Sequence, residues 1–222
     1  MPKRALAEKR PWLLLSLAAA IGFYIFRNSP VPDLVLSAWK GLAIGCLAVY
    51  ALLRHPSRHA YMLSGVMALC TVGDMLFGLF PFAGIMAFMA AHGLAIALYA
   101  EFRRPVTSPS QKGLALALLL IVPAMGWLLP ADRAMALPMA VYALAMGGMA
   151  AMAWTSSFPR YRVGLGALLL TASGLLSFAQ MGPLAVRAWG EWPIWPLYYA
   201  GQFLICTGVI QTLCRAGEFE AE

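Results

Sequence analysis

Charge is scarce in this chain. Only 11% of its 222 residues are charged, and just 9 are acidic, whereas an ordinary soluble domain has about a quarter of its residues charged. A supply this thin excludes a water-facing surface of normal extent. Histidine (3) and cysteine (4) are as sparse, and the absence of any CxxC or Cys/His spacing excludes the usual metal-site patterns. Cys46, Cys70 and Cys206 lie inside apolar segments and Cys214 at the end of the last one, so each is read as a reduced, buried thiol. Low-complexity tracts and clear internal repeats are missing too.

What the chain has instead is apolar length. Hydrophobic residues make up 62% of it and mean hydropathy is +0.75; about twenty apolar residues cross the roughly 30 Å hydrocarbon core of a bilayer. The apolar runs are Trp12–Phe26, Leu34–Leu53, Ala60–Phe80, Gly84–Ala100, Gly113–Leu129, Met135–Trp154, Val163–Phe178 and Ile194–Leu213. They predict an all-α, polytopic membrane protein with about eight transmembrane helices in one bundle. A single domain covers residues 1–222, with a basic N-terminus at 1–11 and a tail at 214–222. Turn-forming residues mark the breaks, as in NSPVPD, RHPSRH, PADR and SSFPRYR. The start, MPKRALAEKRPWLLLSLAAAIGFYIF, has the basic flank of a signal peptide but no convincing small-residue cleavage site, and is read as a retained first span.

The net charge of +7 does not imply a nucleic-acid partner, because the basic residues are scattered through short loops and form no single patch. Counted by alternate sides, they are lopsided. Lys3, Arg4, Lys9, Arg10, Arg54, Arg58, Arg103, Arg104, Lys112, Arg160, Arg162 and Arg215 fall on one side, and Arg27, Arg133 and Arg187 on the other. The asymmetry predicts cytoplasmic termini and an even number of spans in a multi-pass protein of a cell membrane, read as a bacterial inner membrane. Trp189, Trp192 and Trp195 sit where the last loop enters the bilayer, as an interfacial aromatic belt would.

Few ionisable residues remain within the spans: Lys40, Asp74 and His92, with Glu101 near an end. A carboxylate in hydrocarbon is disfavoured by roughly 2.5–3.5 kcal/mol on insertion scales, so such a group faces a cavity or a partner. Lys40 either snorkels to the interface or pairs with Asp74. Gly73, just before Asp74, lets a helix or a ligand approach the backbone closely. His92 is a packing histidine or a partner of Asp74. Thr171 and Ser173 favour bonds to their own backbone. Tyr198 and Tyr199 fit an aromatic belt, and the Gln202 amide needs partners.

The order of these motifs resembles the YhhN family of membrane proteins, which includes the mammalian lysoplasmalogenases. The resemblance rests on Lys40, Gly73-Asp74, Gly84 with Ala87-Phe88 and His92, Pro138 with Val141-Tyr142, Gly166-Ala167 with Ser173, and Tyr198-Tyr199 with Gln202 and Leu204-Ile205. It implies an eight-helix fold with a polar cavity within the membrane, and hydrolysis of the vinyl ether bond of lysoplasmalogens to a fatty aldehyde and a glycerophospho-alcohol. Protonation of the alkene carbon gives an oxocarbenium-like cation that water captures, a task for acids and carboxylates of the glycosidase kind. The scheme calls for no metal and no organic cofactor. The chain departs from the family at Ser173-Gly174, where the family carries Ser-Asp. Gly41 and Ala95 are smaller departures, standing where proline and tyrosine are common.

Three readings fit these residues. In the first, an ether hydrolase uses Asp74 as principal acid/base and His92 as its partner. Lys40 recognises a headgroup phosphate or tunes Asp74, and Tyr142, Ser173, Tyr199 and Gln202 bind a lysophospholipid or similar amphiphile drawn from the lipid bilayer. In the second, the same cavity binds or moves such an amphiphile without cleaving it, because Gly174 lacks the second carboxylate. In the third, Asp74 and His92 form a proton relay for transport. Another carboxylate reaching Asp74, such as Glu101 or Glu191, would restore the catalytic pair.

Overall fold

The apolar runs fold as helices, because a backbone in hydrocarbon must satisfy its own N–H and C=O groups. The structure, a computed structural model, describes residues 10–185 and 191–219. Lys3, Arg4, Lys9, Arg187 and Trp189, which carry part of the charge and aromatic-belt readings, lie outside the described residues. The helices are α1 Arg10–Phe26, α2 Asp33–Arg54, α3 Arg58–Phe77, α4 Pro81–Glu101, α5 Pro109–Leu128, α6 Ala136–Thr155, α7 Leu165–Gln180 and α8 Ile194–Phe219. They form the expected all-α bundle. Seven are long and apolar enough to cross a membrane, and α1, at 17 residues, is shorter.

Local chemistry moved several boundaries. Ser108 and Gln111 form a reciprocal capping box that starts α5 at Pro109, inside what reads as loop, since the cap satisfies N–H groups that the apolar pattern does not register. A π-helical turn over Arg160–Gly164 leads into α7. At the other end of the chain, α8 runs through Cys214 to Phe219, so Cys214 lies within a helix and not at its end. No proline follows Leu213 to stop the hydrogen-bond ladder.

The described residues divide into two compact units, one reaching Leu94 and resuming at Val209, the other Ala95–Gly208. In the first unit α2 lies between α1 and α3, and small residues stand where the helices meet. The Ser16 hydroxyl donates to the Ala43 carbonyl at 2.6 Å, and the Ser64 hydroxyl donates to the Ala48 carbonyl at 2.9 Å. A Cβ at Gly41 would meet Met75 Cγ at 2.5 Å, and one at Gly78 would meet Ser37 Oγ at 3.1 Å. Glycine at 41 therefore lets α3 approach α2 closely.

In the second unit the same device joins α7 to α8: a Cβ on either Gly166 or Gly201 would lie 2.7 Å from the other's carbonyl oxygen. Phe158, in the SSFPRYR stretch that reads as a polar break, is wholly buried. It packs against Tyr99 and Phe102, with ring centroids 6.1 and 4.6 Å away. Trp192 is exposed, whereas Trp195 is buried against Tyr198 and Tyr199, so this tryptophan packs inside the unit instead of extending the belt.

Candidate functional site

Asp74 sits in the last turn of α3 and is 2% exposed. Two glycines put it there. A Cβ at Gly73 would strike the Phe88 ring at 2.8 Å, and one at Gly84 would strike the α3 backbone at Phe77 Cα, also at 2.8 Å. Gly73 thus accommodates a neighbouring helix, α4, and the pattern Gly73-Asp74 with Gly84 and Phe88 is the seam that seats α4 against the carboxylate's own turn.

From the other side Lys40 extends from α2, and its Nζ stands 2.9 Å from Asp74 Oδ1. The lysine side chain keeps 28% of its surface accessible and the aspartate 1%. Asp74 is therefore a carboxylate held by an ammonium, which offsets the cost of its burial. The pair borders a cavity of about 320 Å³ lined by Phe23, Arg27, Asp33, Leu36, Ser37, Lys40, Asp74, Phe77 and Gly78. Asp33, Ser37 and Lys40 recur every three to four residues along α2, so one helical face forms the wall.

Neither Glu101 nor Glu191 is among the lining residues; the second carboxylate on this cavity is Asp33. Asp33 is exposed at the first turn of α2. The α2–α3 register, with Gly41 against Met75 and Ser37 against Gly78, puts Asp74 level with Leu42, so Asp33 lies about 13 Å further along the helix axis at 1.5 Å per residue. Paired carboxyls that share one water stand roughly 6.5–9.5 Å apart, and nucleophilic pairs closer still. Asp33 does not replace the missing family aspartate.

His92 is 3% exposed, on the α4 face that also buries Gly84, Ala91, Ala95 and Tyr99. It does not line the cavity. The register that puts Gly84 against Phe77, Phe88 against Gly73 and Leu94 against Gly65 places His92 about 7 Å deeper along the axis than Asp74.

The remaining expected site residues belong to the second unit. Tyr142 packs edge-on against Phe178, with centroids 5.9 Å apart. The Ser173 hydroxyl donates to the Ile194 carbonyl at 2.8 Å, so it pins the start of α8 instead of bonding within its own helix. Thr171 does bond within its helix, donating to the Ala167 carbonyl at 2.9 Å. Tyr199 stacks with Trp195, and Gln202 is 2% exposed. Following the α6–α7 and α7–α8 registers, Tyr142 and Gln202 lie about 20 Å apart along the axis. These four line a length of the unit and do not converge on one point.

At Gly174 a Cβ would lie 2.5 Å from Met146 Sδ and 2.9 Å from its Cε. The space of the family's aspartate side chain is filled by a thioether. In the sequence Arg27 stands only as one of the few basic residues of its side and Asp33 only as the end of the NSPVPD break; the signal for the site is the recurrence of Asp33, Ser37 and Lys40 on one face.

Comparison with known families agrees with the motif order. The chain belongs to the YhhN family: the YhhN family model matches residues 35–209. No curated protein and no solved structure matches it.

Proposed function

With membership of the YhhN family as the premise, we propose that this multi-pass membrane protein is a lysoplasmalogenase-like hydrolase, cleaving a vinyl ether lipid by acid/base chemistry centred on Asp74. The observation that carries the reading is the Lys40–Asp74 pair, 2.9 Å apart, on the wall of a cavity. In this scheme Lys40 stands beside Oδ1, and Asp74 in its acid form supplies the proton. Its delivery to the alkene carbon leaves an oxocarbenium ion, which a carboxylate stabilises. Water adds to the cationic carbon and returns a proton to the pair. The resulting hemiacetal collapses, with water's oxygen in the aldehyde and the ether oxygen in the glycerophospho-alcohol, so the proton is regenerated.

His92 serves as the second proton-holding group in this scheme. Helical side chains lean toward their own N-terminus, so on the antiparallel α3 and α4 those of Asp74 and His92 lean toward each other, reducing the axial offset. Lys40 binds the headgroup phosphate once a substrate enters. Tyr142, Tyr199 and Gln202 belong to the second unit and take no step in this scheme, and the Ser173 proton is already committed to Ile194. The excess of Lys and Arg on one side supports cytoplasmic termini, and with them a cavity facing away from the cytoplasm; the membrane is taken to be a bacterial inner membrane.

One observation favours a second reading, a family member that binds an amphiphile without cleaving it. Met146 occupies the place of the second carboxylate side chain. The deciding experiment is aldehyde release from a lysoplasmalogen by the purified protein beside Asp74→Asn and Gly174→Asp. Turnover abolished by Asp74→Asn supports the hydrolase with one carboxylate. An inactive parent with an active Gly174→Asp variant establishes the binder.

A further inference from the structure

The cavity's other cation comes from outside the part of the chain that matches the family. The match begins at residue 35, whereas Phe23, Arg27 and Asp33 all line the cavity. Arg27 directly follows α1, its guanidinium 4.0 Å above the Tyr24 ring. That stacking draws the charged group back along α1. The α1–α2 register, with Ser16 against Ala43 and Gly22 against Trp39, puts Tyr24 level with Leu36 and Ser37, one turn from Lys40. Burial orders the charges inward: Asp33 is exposed, Arg27 and Lys40 are half-buried, and Asp74 is buried. The mouth lies at the first turn of α2, where Asp33 itself supplies the negative charge that the helix dipole favours.

We propose that this cavity is a phosphate-binding pocket in which Arg27 and Lys40 grip one phosphate from opposite ends, and Asp33 at the mouth faces a cationic group carried beyond it. The proposal rests on the reading of the chain as a protein that takes a phospholipid-like amphiphile, and it adds the residues that select the headgroup. A guanidinium from the end of α1 and an ammonium from α2 on the same cavity suit a tetrahedral dianion or a phosphodiester. Arg27 lies on the side of the chain where Lys and Arg are rare. A phosphate that engages Lys40 also competes with Asp74 for the ammonium, so headgroup arrival changes the setting of the carboxylate.

The test measures binding, independently of turnover. The full chain in an uncharged detergent is titrated with lysophosphatidylethanolamine, with a monoacylglycerol of the same acyl chain, and with inorganic phosphate, reading the shift in thermal midpoint. Arg27→Gln and Arg27→Lys are run alongside. The expected result is saturable stabilisation by the lysophospholipid, at least tenfold weaker for the monoacylglycerol. Arg27→Gln weakens the lysophospholipid about tenfold, leaves the monoacylglycerol unchanged, and is largely rescued by Arg27→Lys. Free phosphate binding as tightly as the lysolipid supports the pocket and assigns it to a soluble phosphate; much weaker phosphate binding supports the pocket and assigns it to a lipid headgroup.

Equal affinity for lysophospholipid and monoacylglycerol overturns the proposal, as does an Arg27→Gln variant that weakens both alike. Absence of aldehyde release alongside phosphate-selective binding removes the hydrolase and keeps the pocket.

Discussion

The two units of this protein differ in which polar residues they bury inside membrane helices. Among the described residues of the second unit the buried polar side chains carry no charge: Gln111, Ser156, Thr171, Ser173, Gln202 and Thr207. Most are spent on backbone carbonyls or caps, and a methionine fills the position facing Gly174. In the first unit the buried polar side chains include Asp74 and His92, and the Lys40–Asp74 pair borders a cavity. A hydroxyl satisfied at a carbonyl stabilises a helix contact and leaves little for a ligand. An ion pair at a cavity costs desolvation and leaves charge for one.

This contrast can be broken most forcefully at Asp74. Asp74→Asn keeps the shape and removes the acid, and a general acid contributes typically about 10²–10⁴-fold; aldehyde release should fall by that factor while the thermal midpoint moves little. Lys40→Met is its counterpart. It leaves a buried carboxylate without its ammonium, and breaking a buried pair in this way costs about 3–5 kcal/mol, here at the lower end because Lys40 is partly accessible. A denaturant titration should find Lys40→Met less stable than Asp74→Asn. The reverse order would mean that Lys40, not Asp74, is the group the fold labours to hold.

Two glycines sharpen the contrast further. Gly84→Leu meets α3 backbone at Phe77, which cannot yield as a side-chain end can, and overpacking of this kind costs about 1–3 kcal/mol. The midpoint of unfolding should fall, and activity with it, because the turn bearing Asp74 must move. Gly174→Asp meets only the flexible end of Met146. Its stability loss should be partly recovered in the double variant with Met146→Ala, a coupling that a double-mutant cycle measures directly. Smallest is Ser173→Ala, which removes one hydrogen bond to the Ile194 carbonyl and should cost about 0.5–1.5 kcal/mol with no effect on lysophospholipid affinity. Lost binding without lost stability would return Ser173 to the substrate.

Membrane insertion and helix number follow from composition and apolar run length, since hydrocarbon leaves a backbone no partner but itself. Lys40, Asp74 and His92 were legible for the same reason: charge is conspicuous where little else is charged. Their pairing was not. Sequence spacing along one helix does not say which face meets a neighbour, and the Lys40–Asp74 contact depends on Gly41, Gly73 and Gly84 bringing three helices close. Arg27 and Asp33 resemble the interfacial residues that flank any span; the folding back of α1 on α2 brings Arg27 to the cavity, and the α2 face shared with Lys40 brings Asp33.

Gly174 shows the same division. Its lack of a carboxylate is written in the chain, but what fills the space is decided by α6, whose Met146 reaches it. The amino-acid sequence determined a membrane-spanning, all-α protein with a few buried charges, because hydrophobicity and backbone satisfaction act locally along the chain. Tertiary structure alone decided which of those charges meet and where a cavity remains, because helix faces are selected by close packing between residues far apart in sequence.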